Sequence, residues 1–144
     1  MMDETAKTLP ADVVICVAAV ADWYVDGTPH QKIKKQTGVL PKLNLIENPD
    51  ILKTISNHVP DRPPLVIGFA AETEKLIKHA KAKLAKKGCD WILANDISGD
   101  VMGGYTNQVH LITAEAEETW PLMSKIDVAK KLTEQIEKYF KEHE

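Results

Sequence analysis

Val13-Val14-Ile15-Cys16-Val17-Ala18-Ala19-Val20 is an unbroken apolar run rich in β-branched residues, the composition of a strand in a parallel sheet covered on both faces. Ala21-Asp22-Trp23 follows it directly, and Lys32-Ile33-Lys34-Lys35 comes shortly after. A buried strand thus delivers one acid to a sheet edge, with a lysine-rich loop behind it. Several ammonium groups beside a single carboxylate suit a multiply charged anion such as a nucleoside triphosphate with its metal ion. A solvated basic turn is the other reading of the same residues, and charge runs are commonly that.

Outward from this run, residues 2–9 read as a short helix with Met2, Ala6 and Leu9 on one side, ended by Pro10. From Asp22 to Pro41, Gly27, Pro29 and Gly38 punctuate a long irregular connection, the kind that carries function or mobility. Residues 24–41 are expected to be the least ordered internal segment. Lys42 to Ile46 alternates like a strand with one buried face. Asn48-Pro49-Asp50 opens a helix, with Asn48 as N-cap, Pro49 in the first position and Ile51, Leu52 and Ile55 on the inner face. Pro60 stops it.

Leu65 to Ala71 reads as a second buried strand, and Thr73 to Lys87 as a helix with Leu76, Ile77, Ala80 and Leu84 at helical spacing, closed by Gly88. Asp90 to Asn95 is a third strand. Val109 to Ile112 and Glu118 to Leu122 flank an acidic turn as a hairpin-like pair. A last helix begins at about Lys125, with Ile126, Ala129, Leu132, Ile136, Tyr139 and Phe140 on its inner face.

Strands alternating with helices predict an α/β fold: a three-layer αβα, Rossmann-like arrangement with a mostly parallel sheet and a small antiparallel part. Ligands bind such sheets beyond the carboxyl ends of the strands. Asp22 with Trp23, Phe69 to Glu72, and Asn95 with Asp96 are expected just past strand ends, so three segments converge on one edge.

The 144 residues fit a single domain. With 44% hydrophobic and 27% charged residues and a net charge of −3, the chain has the balance of a soluble globular protein and no bulk charge for nucleic acid. Any anion site must be local. Cys16 and Cys89 have neither metal-ligand nor disulfide-framework spacing and read as buried thiols in a reducing compartment. No signal peptide or membrane-spanning run is present, which points to the cytoplasm.

The glycines never form GxGxxG or a P-loop, so a phosphate cradle would have to come from lysines, helix ends or residues outside this chain. Lys83 and Lys87 share one helix face and could reach a phosphate, although solvated lysines are the commoner case. Asn48-Pro49-Asp50 could offer helix amides to a base or phosphate, or be an N-capped helix and nothing more. The five histidines are scattered without zinc-ligand spacing, and no GxSxG nucleophile motif occurs.

Ala18-Ala19-Val20-Ala21-Asp22-Trp23, Lys32-Ile33-Lys34-Lys35, Asn48-Pro49-Asp50-Ile51, Gly68-Phe69-Ala70-Ala71-Glu72-Thr73, Lys83 with Lys87, and Asp90-Trp91-Ile92-Leu93-Ala94-Asn95-Asp96 occur in that order. In this the chain resembles bacterial phosphopantothenate-cysteine ligase, the C-terminal half of a bifunctional coenzyme A biosynthesis flavoprotein. The resemblance runs from about residue 10 to the end. It implies a CTP-using, ATP-independent ligase in which 4'-phosphopantothenate is activated as an acyl-cytidylate and captured by cysteine, with Mg2+ and a homodimer.

By motif, the resemblance makes Lys32 the functional lysine and Ala18 the small residue lining the catalytic site. Asp22, Trp23, Lys32, Phe69, Lys83 and Lys87 would lie near the nucleotide, and Asn48, Pro49, Asp50 and Ile51 near the cytosine. Asp22 is the candidate metal ligand. The strand around Leu43 to Ile46 would pair between subunits. Residues 1–144 would be a partial ligase domain, without the glycine-rich strand-turn-helix that precedes residue 10 in the family and without the FMN-dependent decarboxylase half, and inactive alone. Two other classes stay open: a non-catalytic Rossmann-like nucleotide-binding module, which a partial ligase would imitate, and a dinucleotide-dependent oxidoreductase, which the missing GxGxxG disfavours.

Overall fold

The computed structural model describes residues 1–27, 43–58, 60–72, 74–96 and 104–143. In chain order the elements are α1 (Met2–Ala6), β1 (Val13–Cys16), β2 (Trp23–Val25), β3 (Leu45–Glu47), α2 (Ile51–Ser56), β4 (Leu65–Glu72), α3 (Leu76–Lys87), β5 (Trp91–Asp96), β6 (Thr106–Asn107), β7 (Val109–Ile112), β8 (Glu117–Thr119), β9 (Met123–Ser124) and α4 (Lys125–Glu142). One five-stranded sheet runs in the order β1-β4-β5-β7-β8. The β1, β4 and β5 strands are parallel, while β7 and β8 add the antiparallel part.

The period-two alternation of β4 and β5 sorts the core into two faces. Val66, Ala70, Ile92 and Ala94 point to one side, where Leu52 and Ile55 of α2 and Ala80 and Leu84 of α3 cover them. Leu65, Ile67, Trp91 and Leu93 point to the other, under Val128 and Leu132 of α4. These are the three layers the sequence predicts. Ser124 caps α4 by accepting from the Asp127 N–H at 3.1 Å, and the helix starts at Lys125; of the expected inner face Ile126 and Ala129 are exposed, and Val128 is buried beside Leu132 instead.

Gly68 decides how closely α2 lies on the sheet. A Cβ there would meet Leu52 Cδ2 at 2.5 Å and Ile92 Cδ1 at 2.9 Å, so only hydrogen fits. Gly88 closes α3 at φ +72°, as expected of a left-handed C-cap. At the amino end of the sheet, Arg62 ties the connections together: its guanidinium donates to the Ser56, Pro63 and Gly88 carbonyls and to both oxygens of Asp90.

Several boundaries differ from the sequence expectation. Strand β1 stops at Cys16 instead of reaching Val20, because its register with β4 ends at Cys16–Gly68 and the chain then leaves the sheet. Among the described residues it is an edge strand, and the run is not covered on both faces: Ile15 is 43% exposed and Val17 59%. The stretch after Asp22 is not wholly irregular, since Trp23–Val25 pairs antiparallel with Leu45–Glu47 as a two-stranded ribbon. Helix α3 begins at Leu76 because Lys75 takes a left-handed conformation at φ 48°. Asp50, not Asn48, caps α2. The expected low order of residues 24–41 falls mostly on 28–42, outside the described residues.

Candidate functional site

The turn that follows β1 and the approach to α2 come together through Asn48. Asn48 holds that turn twice: its Nδ2 donates to the Ala21 carbonyl at 2.8 Å, and its main-chain N–H donates to the Asp22 carbonyl at 2.8 Å. The side chain that was expected to cap the helix is therefore spent on the turn. Asp50, two residues later, takes the capping role because its short carboxylate reaches the Lys53 N–H at 3.0 Å. That amide is consequently not free for a ligand.

The two lysines of α3 point toward this same end. Lys83 Nζ donates to the Phe69 carbonyl at 2.9 Å. Lys87 Nζ donates to Asp50 Oδ2, a pair in which the side chains are 21% and 32% exposed. Partial burial acts to raise the Asp50 carboxyl, but the hydrogen bonds from Lys87 and the Lys53 N–H, with the charges of both lysines, outweigh it and hold the group below its usual range. Burial, and after it the Asp50 charge, raise the Cys16 thiol at the end of β1. The arrangement is polar: one partly covered lysine is paired with Asp50, the other is on a main-chain oxygen, and the turn is held by hydrogen bonds.

A cavity of about 240 Å³ opens beside the turn, lined by Val20, Asn48, Pro49 and Ile51 together with Met1, Met2 and Asp3 of the α1 end. Its volume admits a planar base. A larger hollow of about 390 Å³ lies farther along the same sheet edge, between the start of α3 and Asp96 and His110. Of the residues marked by sequence, Asn48, Pro49, Asp50, Ile51, Lys83 and Lys87 belong to α2, its approach and α3 on one face of the sheet, whereas the Phe69 side chain packs on the opposite face under α4 and only its carbonyl meets Lys83. Ala18 and Asp22 are exposed on the segment between β1 and β2, and Trp23 lies within β2, 57% exposed, instead of past a strand end. Lys32, with the rest of its loop, is outside the described residues. Phe69 to Glu72 and Asn95 with Asp96 also lie within strands and not past their ends, because β4 and β5 stay paired through Glu72 and Asp96; Glu72 meets His79 Nδ1 at 3.2 Å.

Sequence reasoning does not find Asn57. Its Nδ2 donates to the Lys87 carbonyl at 3.1 Å, fixing the end of α2 to the end of α3. Nothing local marks it, since its partner is 30 residues away. Among the described residues no group of three His, Cys, Asp or Glu side chains could hold a metal ion, and no helix is long and apolar enough to cross a membrane.

Residues 1–140 match the family described as the DNA/pantothenate metabolism flavoprotein C-terminal domain. The chain is 39% identical over 131 residues to the coenzyme A biosynthesis bifunctional protein CoaBC of Haemophilus influenzae, covering 90% of this chain and 32% of that protein. It is 36% identical over 129 residues to the protein of the same name from Bacillus subtilis, covering 88% and 31%. The chain therefore spans about a third of the length of these relatives. Among solved structures it is similar to the C-terminal domain of coenzyme A biosynthesis bifunctional protein CoaBC, with a TM-score of 0.73 and 29% identity over 98% of this chain and 61% of that one. The DNA/pantothenate metabolism flavoprotein of Streptococcus pneumoniae shares the fold, with a TM-score of 0.70 at 21% identity over 96% of this chain and 67% of that one.

Proposed function

The chain belongs to the family of DNA/pantothenate metabolism flavoprotein C-terminal domains, and from that premise we propose that it carries the nucleotide site of a CTP-dependent phosphopantothenate-cysteine ligase of coenzyme A biosynthesis. In the reaction a carboxylate oxygen of 4'-phosphopantothenate attacks the α-phosphorus of CTP and pyrophosphate leaves. The amine of cysteine then attacks the acyl carbon, the acyl C–O bond breaks, CMP departs and the nitrogen loses its proton. The observation that supports this reading is the gathering of Asn48 to Ile51, Lys83 on the Phe69 carbonyl, and Lys87 on Asp50.

Each group has a task in this scheme. The cavity beside Asn48, Pro49 and Ile51 takes the cytosine, and Lys83 and Lys87 face the phosphates, where fixed positive charge offsets the negative charge built up as the α-phosphorus is attacked. Ala18 leaves room for the ligand to approach the segment after β1, with Asp22 and Trp23 beside the nucleotide. By its motif, Lys32 supplies positive charge to the acyl-cytidylate. Magnesium fits only as the ion that the triphosphate brings, since substrate oxygens and water supply most of its ligands and one carboxylate, Asp22, suffices.

The glycine-rich phosphate turn absent from these residues favours a second reading, binding without turnover, and FMN would belong to a separate decarboxylase part. We also propose a cytoplasmic homodimer: the β2–β3 ribbon leaves Trp23 57%, Tyr24 45% and Leu45 55% exposed, an apolar surface that a second copy would cover. Sedimentation showing only monomer at tens of micromolar, the order expected for an interface of standard size, counts against the dimer.

Thermal unfolding with CTP, ATP, GTP or NAD, each with magnesium, tests the ligand. A specific ligand at about a hundred times its Kd stabilises the protein by about 2.7 kcal/mol. CTP should raise the midpoint most; an equal rise with ATP, or a rise with NAD alone, removes the reading.

A further inference from the structure

Lys87 is held by α2 at both ends. Its carbonyl accepts from Asn57, the C-cap of α2, and its ammonium donates to Asp50, the N-cap of the same helix. Asp50 divides its carboxylate between two tasks: Oδ1 accepts the Lys53 N–H at 3.0 Å and Oδ2 accepts Lys87. Both oxygens are engaged within the protein, and the side chain is 32% exposed. A lysine with free rotamers must be ordered by the ligand it binds, which weakens binding. Here the ordering is already done by Asp50.

We infer that Asp50 is a positioning residue that acts through Lys87, placing its ammonium for the polyphosphate of a bound nucleotide, rather than a residue that reads the base. The inference rests on the nucleotide reading above for its ligand and on the Asp50–Lys87 geometry for its action. Two rival roles make different demands. A purely structural clip between α2 and α3 affects stability without affecting phosphate binding through Lys87. A base-reading carboxylate affects the choice between CTP and UTP whether or not Lys87 is present.

Asp50→Asn separates these roles, because asparagine caps a helix about as well as aspartate and so retains α2 while removing the charge that holds Lys87. The experiment is a double-mutant cycle in this chain, with Asp50→Asn and Lys87→Gln singly and together, read by calorimetric affinity for CTP, UTP and inorganic triphosphate. We expect Asp50→Asn to weaken CTP and triphosphate about 10-fold with Lys87 present and less than about 2-fold with Gln at 87, the non-additivity of residues acting as a unit, with the CTP-to-UTP ratio unchanged. Equal losses in both backgrounds, a changed CTP-to-UTP ratio, or unchanged or tighter binding by Asp50→Asn overturns the positioning role. Coupling for triphosphate with no preference for CTP retains that role and removes the cytidine reading instead. No coupling with any of the three probes removes the positioning role.

Discussion

Lys83 donates to the main-chain carbonyl of Phe69 at 2.9 Å because β1 stops short of that carbonyl. The Leu65 N–H bonds to the Asp12 carbonyl on the β1 side of β4, and Ile67 and Phe69 alternate onto the same side. Pairing with β1 ends at Cys16–Gly68, so the Phe69 oxygen faces the gap that β1 leaves, and a lysine fills it. The early departure of one strand thus brings a positive charge to the carboxyl edge, where a parallel sheet binds its ligands.

Replacing Lys83 with methionine retains most of the stem and removes the charge. It should lower stability by about 1 kcal/mol, the net worth of one hydrogen bond, and weaken CTP about 10-fold or more, as expected for loss of a charge-assisted phosphate contact. Urea unfolding and calorimetric binding measure the two effects separately. A large loss of stability with unchanged CTP affinity would make Lys83 a brace for β4 and not a ligand residue.

Gly68 sets the height of α2 above the sheet, and α2 carries Asp50 at its start. Gly68→Ala should destabilise by about 1–3 kcal/mol through overpacking against Leu52 and Ile92. Trimming the contact in the double variant Gly68→Ala, Leu52→Val should recover part of that loss. Urea midpoints at constant m-value test it, and additive effects of the two substitutions would show that the clash is relieved elsewhere.

Much of this arrangement is legible from the chain itself. The α/β class follows from apolar runs alternating with helical periodicity, and Gly88 and Lys125 mark helix ends through residues whose conformational preferences are local. What is not legible depends on partners distant in sequence. The end of β1 is set by register with β4, not by its own apolar composition, which continues to Val20. Asn48 and Asp50 are both good capping residues, and the choice between them was made by the Ala21 carbonyl, 27 residues away. Lys83 and Lys87 can be placed on one helix face from spacing, but their acceptors cannot.

Burial, with the Asp90 and Cys16 charges adding to it, raises the Cys89 thiol from an ordinary 9.0 to about 11, against the partial relief of a hydrogen bond and Lys83. The folded chain then holds this proton more tightly than the unfolded one, so the contribution to stability is complete below pH 9 and is lost as pH rises toward 11. The loss attributable to this group is at most about 3 kcal/mol. Cys89→Ala should flatten the alkaline limb of a stability profile between those values, and Cys89 in the folded chain should resist iodoacetamide at pH 8. Rapid alkylation at native conditions would contradict the burial of this thiol.

The lysine loop separates binding from chemistry. If Lys32 acts on the acyl-cytidylate and not on ground-state CTP, then Lys32→Gln in a full-length relative should abolish product formation while CTP affinity falls only about 2-fold to 5-fold, the pattern of an interaction made mainly in the transition state. The sequence of this chain lacks a glycine-rich phosphate turn, and the same logic predicts that it binds CTP weakly through Lys83, Lys87 and the Asn48 to Ile51 cavity without turning it over. Pyrophosphate release with CTP, phosphopantothenate and cysteine decides the matter. Robust turnover by this chain alone would mean that the groups needed for activation all lie within it, and that Lys32 and its neighbours do what a separate phosphate turn was assumed to do.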